Sequence, residues 1–106
     1  LYGSKKYLEE NRKNSLLNIV SSQTGNADIK IYQDINIYVS ELEIGKSLDF
    51  TINENRQVYF VQIEGSSNIN EITLNAGDAM EIVDIKKIEI KAFEHSHFLF
   101  IEMAKV

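Results

Sequence analysis

Cysteine and proline are both absent from this chain of 106 residues. The lack of cysteine excludes disulfide bonds, thiolate metal sites and cysteine nucleophiles together. A cysteine-free chain is typical of a reducing compartment, so we expect a cytoplasmic protein. Because proline is missing, the ends of strands must be recognised from glycine, asparagine, aspartate and serine.

Long apolar runs are missing as well. No run approaches the roughly 18–20 residues that span a membrane, and the charged start from Leu1 to Asn14 lacks the apolar segment of a signal peptide. We therefore expect no membrane partner. Because the first residue is leucine and not methionine, we expect the chain to be part of a longer protein.

Basic residues are outnumbered, with 11 lysines and arginines against 16 aspartates and glutamates and a formal net charge of −5. Nucleic-acid-binding proteins usually carry a basic face, whereas the charges here alternate in sign, as in Lys87, Glu89 and Lys91. That pattern is typical of a solvated surface. We expect no nucleic-acid partner, which also disfavours an oligonucleotide-binding barrel.

Familiar catalytic motifs are lacking too. The chain has no Gly-x-Ser-x-Gly nucleophile motif and no glycine-rich phosphate loop, since Gly25 and Gly65 are isolated. The adjacent carboxylates Glu9 and Glu10 are interpreted as solvated rather than as an acid–base pair. The residues alone indicate no reaction, and we assign no catalytic residue.

What the chain does contain is a series of short strands with alternating apolar residues, the period of a sheet with one buried face. The predicted strands are 16–20, 29–39 (with a break at Gln33 and Asp34), 47–52, 57–64, 69–74, 79–83, 88–92 and 97–103. The last is apolar on both sides, which predicts burial on both faces. The pattern predicts an all-β sandwich or barrel and leaves a jelly roll, an immunoglobulin-like sandwich and a small barrel open.

The turns between the strands are predicted from their polar residues and glycines. Turns are predicted at 21–28, 53–55, 65–67 and 75–78. The polar start is expected to form a short helix over 6–13 or a strap over another surface. Six aromatic residues on the strands are interpreted as core rather than pocket lining; they are Tyr32, Tyr38, Tyr59, Phe60, Phe98 and Phe100.

Two stretches resemble the motifs of cupins. The segment from Gly45 to Gly65 has the frame of the first cupin motif, and Asn75 to Ala79 resembles the turn that opens the second. The whole layout is similar to the C-terminal cupin of pirin-like, quercetinase-related bicupin proteins. The pieces that carry this similarity are Ile31–Asp34, Leu42–Gly45, Val58–Gly65, Leu74–Asp78 and Phe98–Ile101.

This resemblance implies a cupin-type double-stranded β-helix, a jelly-roll barrel, over residues 15–106, after a lead-in or interdomain segment at 1–14. It also implies a partner, namely a preceding N-terminal cupin of similar size in the same parent protein. In such bicupins the N-terminal cupin usually carries a metal ion, iron or similar, and any quercetinase-like dioxygenase activity.

The resemblance also locates the positions at which a cupin holds its metal, commonly with three histidines and one glutamate. Thr51 and Asn53 occupy the two histidine positions of the first motif, and Val58 occupies the glutamate position. The second motif needs a further histidine, and residues 79–91 contain none. Because these side chains cannot replace the ligands of iron, manganese or nickel, we expect no cofactor in this domain and a degenerate metal site.

The two histidines of the chain offer an alternative metal site. His95 and His97 are two residues apart and would point to the same face of a strand, where Glu94 or Glu102 would have to supply a third ligand. Structural metal sites normally have more than two protein ligands. The preferred interpretation is therefore two solvated histidines at the start of the last strand.

The mouth of the barrel is a second candidate site, because small barrels can hold one ligand. Its candidate pocket residues are Thr51, Asn53, Val58 and Gln62. The hypothesis is that the former metal pocket binds a small polar molecule.

The leading hypothesis for function is a non-metal C-terminal cupin that packs against a metal-bearing N-terminal cupin and supports it, without chemistry of its own. It predicts an exposed apolar docking face and self-association of the isolated domain, with a homodimer as the candidate assembly. The alternative is a stand-alone small-molecule-binding or enzymatic cupin with a non-standard site. That alternative predicts convergent polar groups and carboxylates of perturbed pKa in a pocket.

Overall fold

The computed structural model describes residues 13–22, 29–31 and 34–105. Most of the expected lead-in or helix, most of the turn cluster 21–28 and the expected break at Gln33 lie outside the described residues, as does Tyr32. No helix that could cross a membrane occurs in the part of the chain that the structure describes.

Ten β-strands and no helix make up the regular structure of the described residues. They are β1 (Leu17–Ser22), β2 (Ile29–Ile31), β3 (Ile35–Leu42), β4 (Ser47–Thr51), β5 (Arg56–Glu64), β6 (Ser66–Ile69), β7 (Ile72–Asn75), β8 (Ala79–Ile82), β9 (Lys87–Ala92) and β10 (Ser96–Ala104). The all-β prediction is confirmed.

The strands form two sheets. The first has six strands in the order β2-β1-β3-β10-β5-β8, and the second has four in the order β4-β9-β6-β7. Neighbouring strands are antiparallel, except that β1 and β2 are parallel. One hydrophobic core takes side chains from both sheets, so the sheets pack face to face as in a jelly roll.

Alternation along the strands decides which side chains reach this core. In β9, Ile88, Ile90 and Ala92 are buried while the lysines and glutamate between them are exposed. The same two-residue period runs through β10, where Phe98 and Phe100 are buried. Apolar burial of this kind contributes about 25 cal/mol per Å² removed from water, which makes the core the main source of stability.

Aromatic rings fill the space between the sheets. Phe100 lies 5.0 Å from Tyr38, 4.8 Å from Phe50 and 6.0 Å from Phe60, measured between ring centroids. Phe60 in turn stacks on Phe98 at 4.9 Å. The interpretation of Phe60, Phe98 and Phe100 as core is confirmed by their complete burial, whereas Tyr59 points outward and is 41% exposed.

One predicted strand is wrong. Residues 69–74 form no single strand but a hairpin, in which Ile69 of β6 pairs with Ile72 of β7. The two residues between them, Asn70 and Glu71, have φ angles of 48° and 73°. Positive φ at both central residues is the geometry of a type I′ turn, which favours tight hairpins. Residues 66 and 67, predicted as a turn, consequently belong to β6.

The start of the described chain is fastened to the end of β3. The backbone N–H of Asn14 donates to the Glu41 carbonyl, and the Asn14 side chain both accepts from the Glu43 backbone N–H and donates to the Glu43 carboxylate. The bond from Asn14 is the main cause of a lowered pKa for the Glu43 carboxyl group. We call this arrangement the Asn14 clasp.

Candidate functional site

An open cleft of about 400 Å³ lies at one end of the sandwich, between the beginnings of β3 and β5 and the ends of β4 and β10. We call it the Arg56 cleft. Its lining residues are Asp34, Asn36, Tyr38, Phe50, Thr51, Asn53, Arg56 and Glu102. The strand register brings the polar residues of the cleft together, because β10 pairs Glu102 with Asn36 of β3 and places Ala104 opposite Arg56 of β5.

A buried ion pair forms one wall of the Arg56 cleft. Arg56 donates from Nε and Nη2 to the two carboxylate oxygens of Glu102, at 2.6 and 2.8 Å, a two-pronged geometry that aligns both groups. Asn36 donates to Glu102 at 2.8 Å, and Arg56 also donates to the Asp34 carboxylate at 2.6 Å. The side chains of Glu102 and Arg56 are 9% and 16% exposed, whereas that of Asp34 is 65% exposed.

These contacts set the ionisation of the wall. Burial raises the pKa of Glu102, but the hydrogen bonds from Arg56 and Asn36 lower it by more, so the carboxyl group titrates below its ordinary value of 4.5. The hydrogen bond to Glu102 raises the pKa of Arg56 further above its ordinary value. The formal charge of the wall, from the side chains of Asp34, Glu102 and Arg56, is −1.

The aromatic rings of Tyr38 and Phe50 line the Arg56 cleft. Tyr38 and Phe50 meet edge to face with ring centroids 5.0 Å apart, and both pack against Phe100. Burial, and then the nearby charge of Glu102, raise the pKa of Tyr38 above 10.0. The phenol therefore keeps its proton at neutral pH and can donate a hydrogen bond.

The structure separates the four candidate pocket residues. Thr51 and Asn53 are exposed and line the Arg56 cleft, and they also line a neighbouring cleft of about 490 Å³. Val58 is fully buried in the core. Gln62 is also fully buried, where it donates to the Glu64 carbonyl at 2.8 Å and accepts from the Ser67 hydroxyl at 2.7 Å.

The sequence does not indicate Arg56, Asn36 and Asp34 as residues of the candidate site, nor that Glu102 lies beside them. One signal was present in the sequence. Glu102 interrupts an otherwise apolar strand on the side that carries Phe98 and Phe100, and a charge on an inward face needs a partner. Its partner is 46 residues away, a distance that no local pattern indicates.

The residues at the motif positions do not fit a cupin metal ion. Val58 offers only carbon atoms within the core, and Thr51 and Asn53 lie exposed at the rim. Within residues 13–22, 29–31 and 34–105, no cluster of three or more histidine, aspartate or glutamate side chains could hold a metal ion.

The two histidines face different carboxylates. His95 Nε2 lies 4.0 Å from a Glu41 oxygen, and His97 Nδ1 lies 3.5 Å from a Glu64 oxygen. Glu102, considered as a third ligand, faces inward on β10, whereas His97 is five positions away and faces outward. The structure does not bring these three side chains together.

The sequence model of the Quercetinase C-terminal cupin domain family matches residues 18–103. The chain belongs to this family of cupin domains, which confirms the resemblance to pirin-like proteins.

Relatives agree with that assignment. A pirin-like protein of Caulobacter vibrioides is 26% identical over 104 residues, covering 97% of this chain and 45% of the relative. The crystal structure of the bacterial pirin YhhW of Escherichia coli, in complex with nickel(II), is 23% identical with a TM-score of 0.82, covering 87% of this chain and 40% of that one. A quercetin 2,3-dioxygenase of Acinetobacter baumannii is 16% identical with a TM-score of 0.75, covering 84% and 32%. The chain thus spans less than half the length of the curated relatives it matches.

Proposed function

We propose that this chain is the C-terminal cupin of a pirin-like two-cupin protein, in which it packs against a preceding, metal-bearing cupin and supports it without chemistry of its own. The single observation that carries the proposal is the apolar outward face of the six-stranded sheet. Family membership, and the 45% of each relative's length that the chain spans, support a preceding cupin as the partner.

The outward face of the six-stranded sheet is apolar across its three central strands. On β10, Leu99 and Ile101 point outward, and they pair with Val39 and Ile37 of β3 on one side. On the other side they pair with Val61 and Tyr59 of β5. Cross-strand neighbours of this kind form one continuous surface. Val39 is already buried, at 8% exposed. The other outward apolar side chains of these strands make up this surface; they are Ile35, Ile37, Tyr59, Val61, Ile63, Leu99, Ile101 and Met103.

The outward face of the other sheet has the opposite character. Apart from Ile72 on the edge strand β7, which is 52% exposed, the exposed side chains at paired positions of this sheet are polar or charged. They include Ser47, Asp49, Thr73, Lys87, Glu89 and Lys91. A sheet that faces water usually alternates apolar and polar residues in this way. The contrast between the two faces of one small domain is what an apolar docking surface predicts.

The composition of β10 also favours a docking partner on the outward face. The strand was predicted to be buried on both faces, yet only its inward face is buried within the described residues, while Leu99 and Ile101 are half-buried. Tyr59 and Ile63 on the neighbouring strand are 41% and 39% exposed. A partner domain on this face would complete the burial that the composition of the strand requires. The iron or similar metal and the dioxygenase-type activity are assigned by this proposal to the partner domain.

Binding between the separately expressed domains tests the proposal. The domain encoded upstream of this chain is titrated with the chain by calorimetry, and then with the variant Tyr59→Glu. We expect saturable binding with a large negative heat-capacity change, the signature of apolar burial, weakened at least tenfold by the variant because a charge would be buried without a partner.

Thr73→Glu is the matched control, since it places the same charge on an exposed strand position of the polar sheet. It should leave the affinity unchanged. Equal weakening by both variants, or the lack of a cupin domain upstream of this chain, would overturn the proposal. Metal analysis of both domains completes the test, and stoichiometric metal in this chain instead of its partner would contradict the assignment.

A further inference from the structure

The Arg56 cleft combines a hydrogen-bonded polar wall with an open space. A buried ion pair contributes little net stability compared with apolar residues of similar volume. Here a buried glutamate, an arginine and an asparagine are fixed to one another at 2.6–2.8 Å beside an open space of about 400 Å³. Groups held rigidly before binding lose little conformational freedom when a ligand arrives.

The charges of the cleft restrict the class of ligand. An anion would face the carboxylates of Asp34 and Glu102, while the charge of Arg56 is already neutralised by both of them. A cation would lie against the guanidinium that occupies the same wall. The net charge of −1 disfavours an anion, and both carboxylates are already bonded to the guanidinium, which weakens their attraction for a cation. An uncharged ligand therefore matches the site better.

The remaining groups offer both hydrogen-bond donors and acceptors. Asn36 donates through its amide nitrogen to Glu102, which leaves its amide oxygen as an acceptor. The Thr51 hydroxyl and the Asn53 amide at the rim can donate and accept, and the Tyr38 phenol can donate. The ring of Phe50 adds an apolar wall. A ligand with several hydroxyl groups and one apolar face satisfies all of these groups together.

We propose that the Arg56 cleft binds a small, uncharged, hydroxyl-rich ring compound of the size of a monosaccharide. Its hydroxyl groups bond to Asn36, Thr51 and Asn53, and its carbon-bound hydrogens pack on Phe50. The cleft is open and shallow, so the expected dissociation constant for a ligand of this size is about 1 mM. This site is separate from the apolar docking face, because the cleft lies at one end of the sandwich and none of its lining residues belongs to that face.

The test is a titration of the ¹⁵N-labelled chain, followed by NMR, with three sugars that differ in charge. The probes are D-glucose, D-glucuronate and D-glucosamine. We expect glucose to shift the side-chain amide signals of Asn36 and Asn53 and the Nε signal of Arg56 in a saturable way. The anionic and cationic probes should bind at least fivefold more weakly.

Two variants at the rim, Thr51→Val and Asn53→Ala, leave the ion pair in place and should weaken glucose binding at least fivefold. Asp49→Asn is the matched control, since Asp49 is exposed on β4 two residues before Thr51. It should have no effect on glucose binding. Shifts that are absent up to 50 mM, that are equal in the rim variants, or that favour glucuronate or glucosamine over glucose would each overturn the proposal.

Discussion

Glu102 is the residue whose chemistry can be followed most directly in the stability of the fold. In Glu102→Gln, Arg56 keeps Asp34 but loses its buried carboxylate, and we expect the free energy of unfolding at pH 7 to fall by about 2 kcal/mol. Because the folded-state pKa of Glu102 is lowered from 4.5, its contribution is present above the unfolded pKa and is lost as the pH falls through the folded value.

Urea denaturation of both proteins between pH 7 and pH 2 measures this effect. The gap between wild type and variant should be constant near neutrality and should shrink as the solution becomes more acidic than pH 4.5. Glu89→Gln, on an exposed strand position, should show neither the loss nor the pH dependence. A gap that is independent of pH would mean that packing, and not charge, explains the effect.

Gly65 occupies a position where a neighbouring backbone leaves no room for a side chain. Its φ is +75°, and a Cβ atom there would lie 2.0 Å from the backbone oxygen of His95. Gly65→Ala should cost about 3 kcal/mol, because backbone strain and a clash with a backbone atom combine. Gly45→Ala is the control, with φ of +81° but nothing within 4 Å of the added atom. It should cost only about 1 kcal/mol in the same denaturation experiment; equal costs would contradict the role of the close approach.

The strands themselves were largely predictable, because alternation of apolar residues is a local property that follows from burial on one face. The turns were predictable only where their chemistry is common. Asn75 to Asp78 carries a glycine with φ of +91° at Gly77, and it was recognised. Asn70 and Glu71 form the β6–β7 turn without the glycine that usually marks it, so the hairpin was read as one strand. Of the four candidate pocket residues, Thr51 and Asn53 line the Arg56 cleft. The ion pair of the cleft depends on a long-range register that no local pattern indicates.

The β6–β7 hairpin yields a prediction of its own. Glu71 has φ of 73°, a conformation that glycine adopts without strain. Glu71→Gly should therefore stabilise the chain by about 0.5–1 kcal/mol, because it replaces a strained residue by the one that type I′ turns prefer. The hydrogen bond from its backbone N–H to the Asn68 side chain is retained. The midpoint of thermal unfolding measures the change, and Glu54→Gly, at another turn position where φ is not positive, should lower it.

For the whole molecule, the contrast between the two outward faces predicts how the isolated chain behaves in solution. We expect concentration-dependent self-association, with a homodimer formed through the apolar face when no partner domain covers it. Sedimentation velocity over a hundredfold range of concentration tests this. Tyr59→Glu should shift the equilibrium toward the monomer, and Thr73→Glu should not. A monomer at every concentration in the wild type would argue against the apolar face as an interface.

The Asn14 clasp has a consequence for any domain that precedes this one. Three hydrogen bonds fix the backbone near Asn14 to β3 and the turn after it, so a preceding domain would be connected through an anchored point instead of a free joint. Anchoring shortens the flexible part of the connection and raises the effective concentration of one domain at the surface of the other. The Asn14 clasp would thereby help a small interface between the two domains to stay formed. Loss of the Asn14 hydrogen bonds would lengthen the flexible connection between the domains.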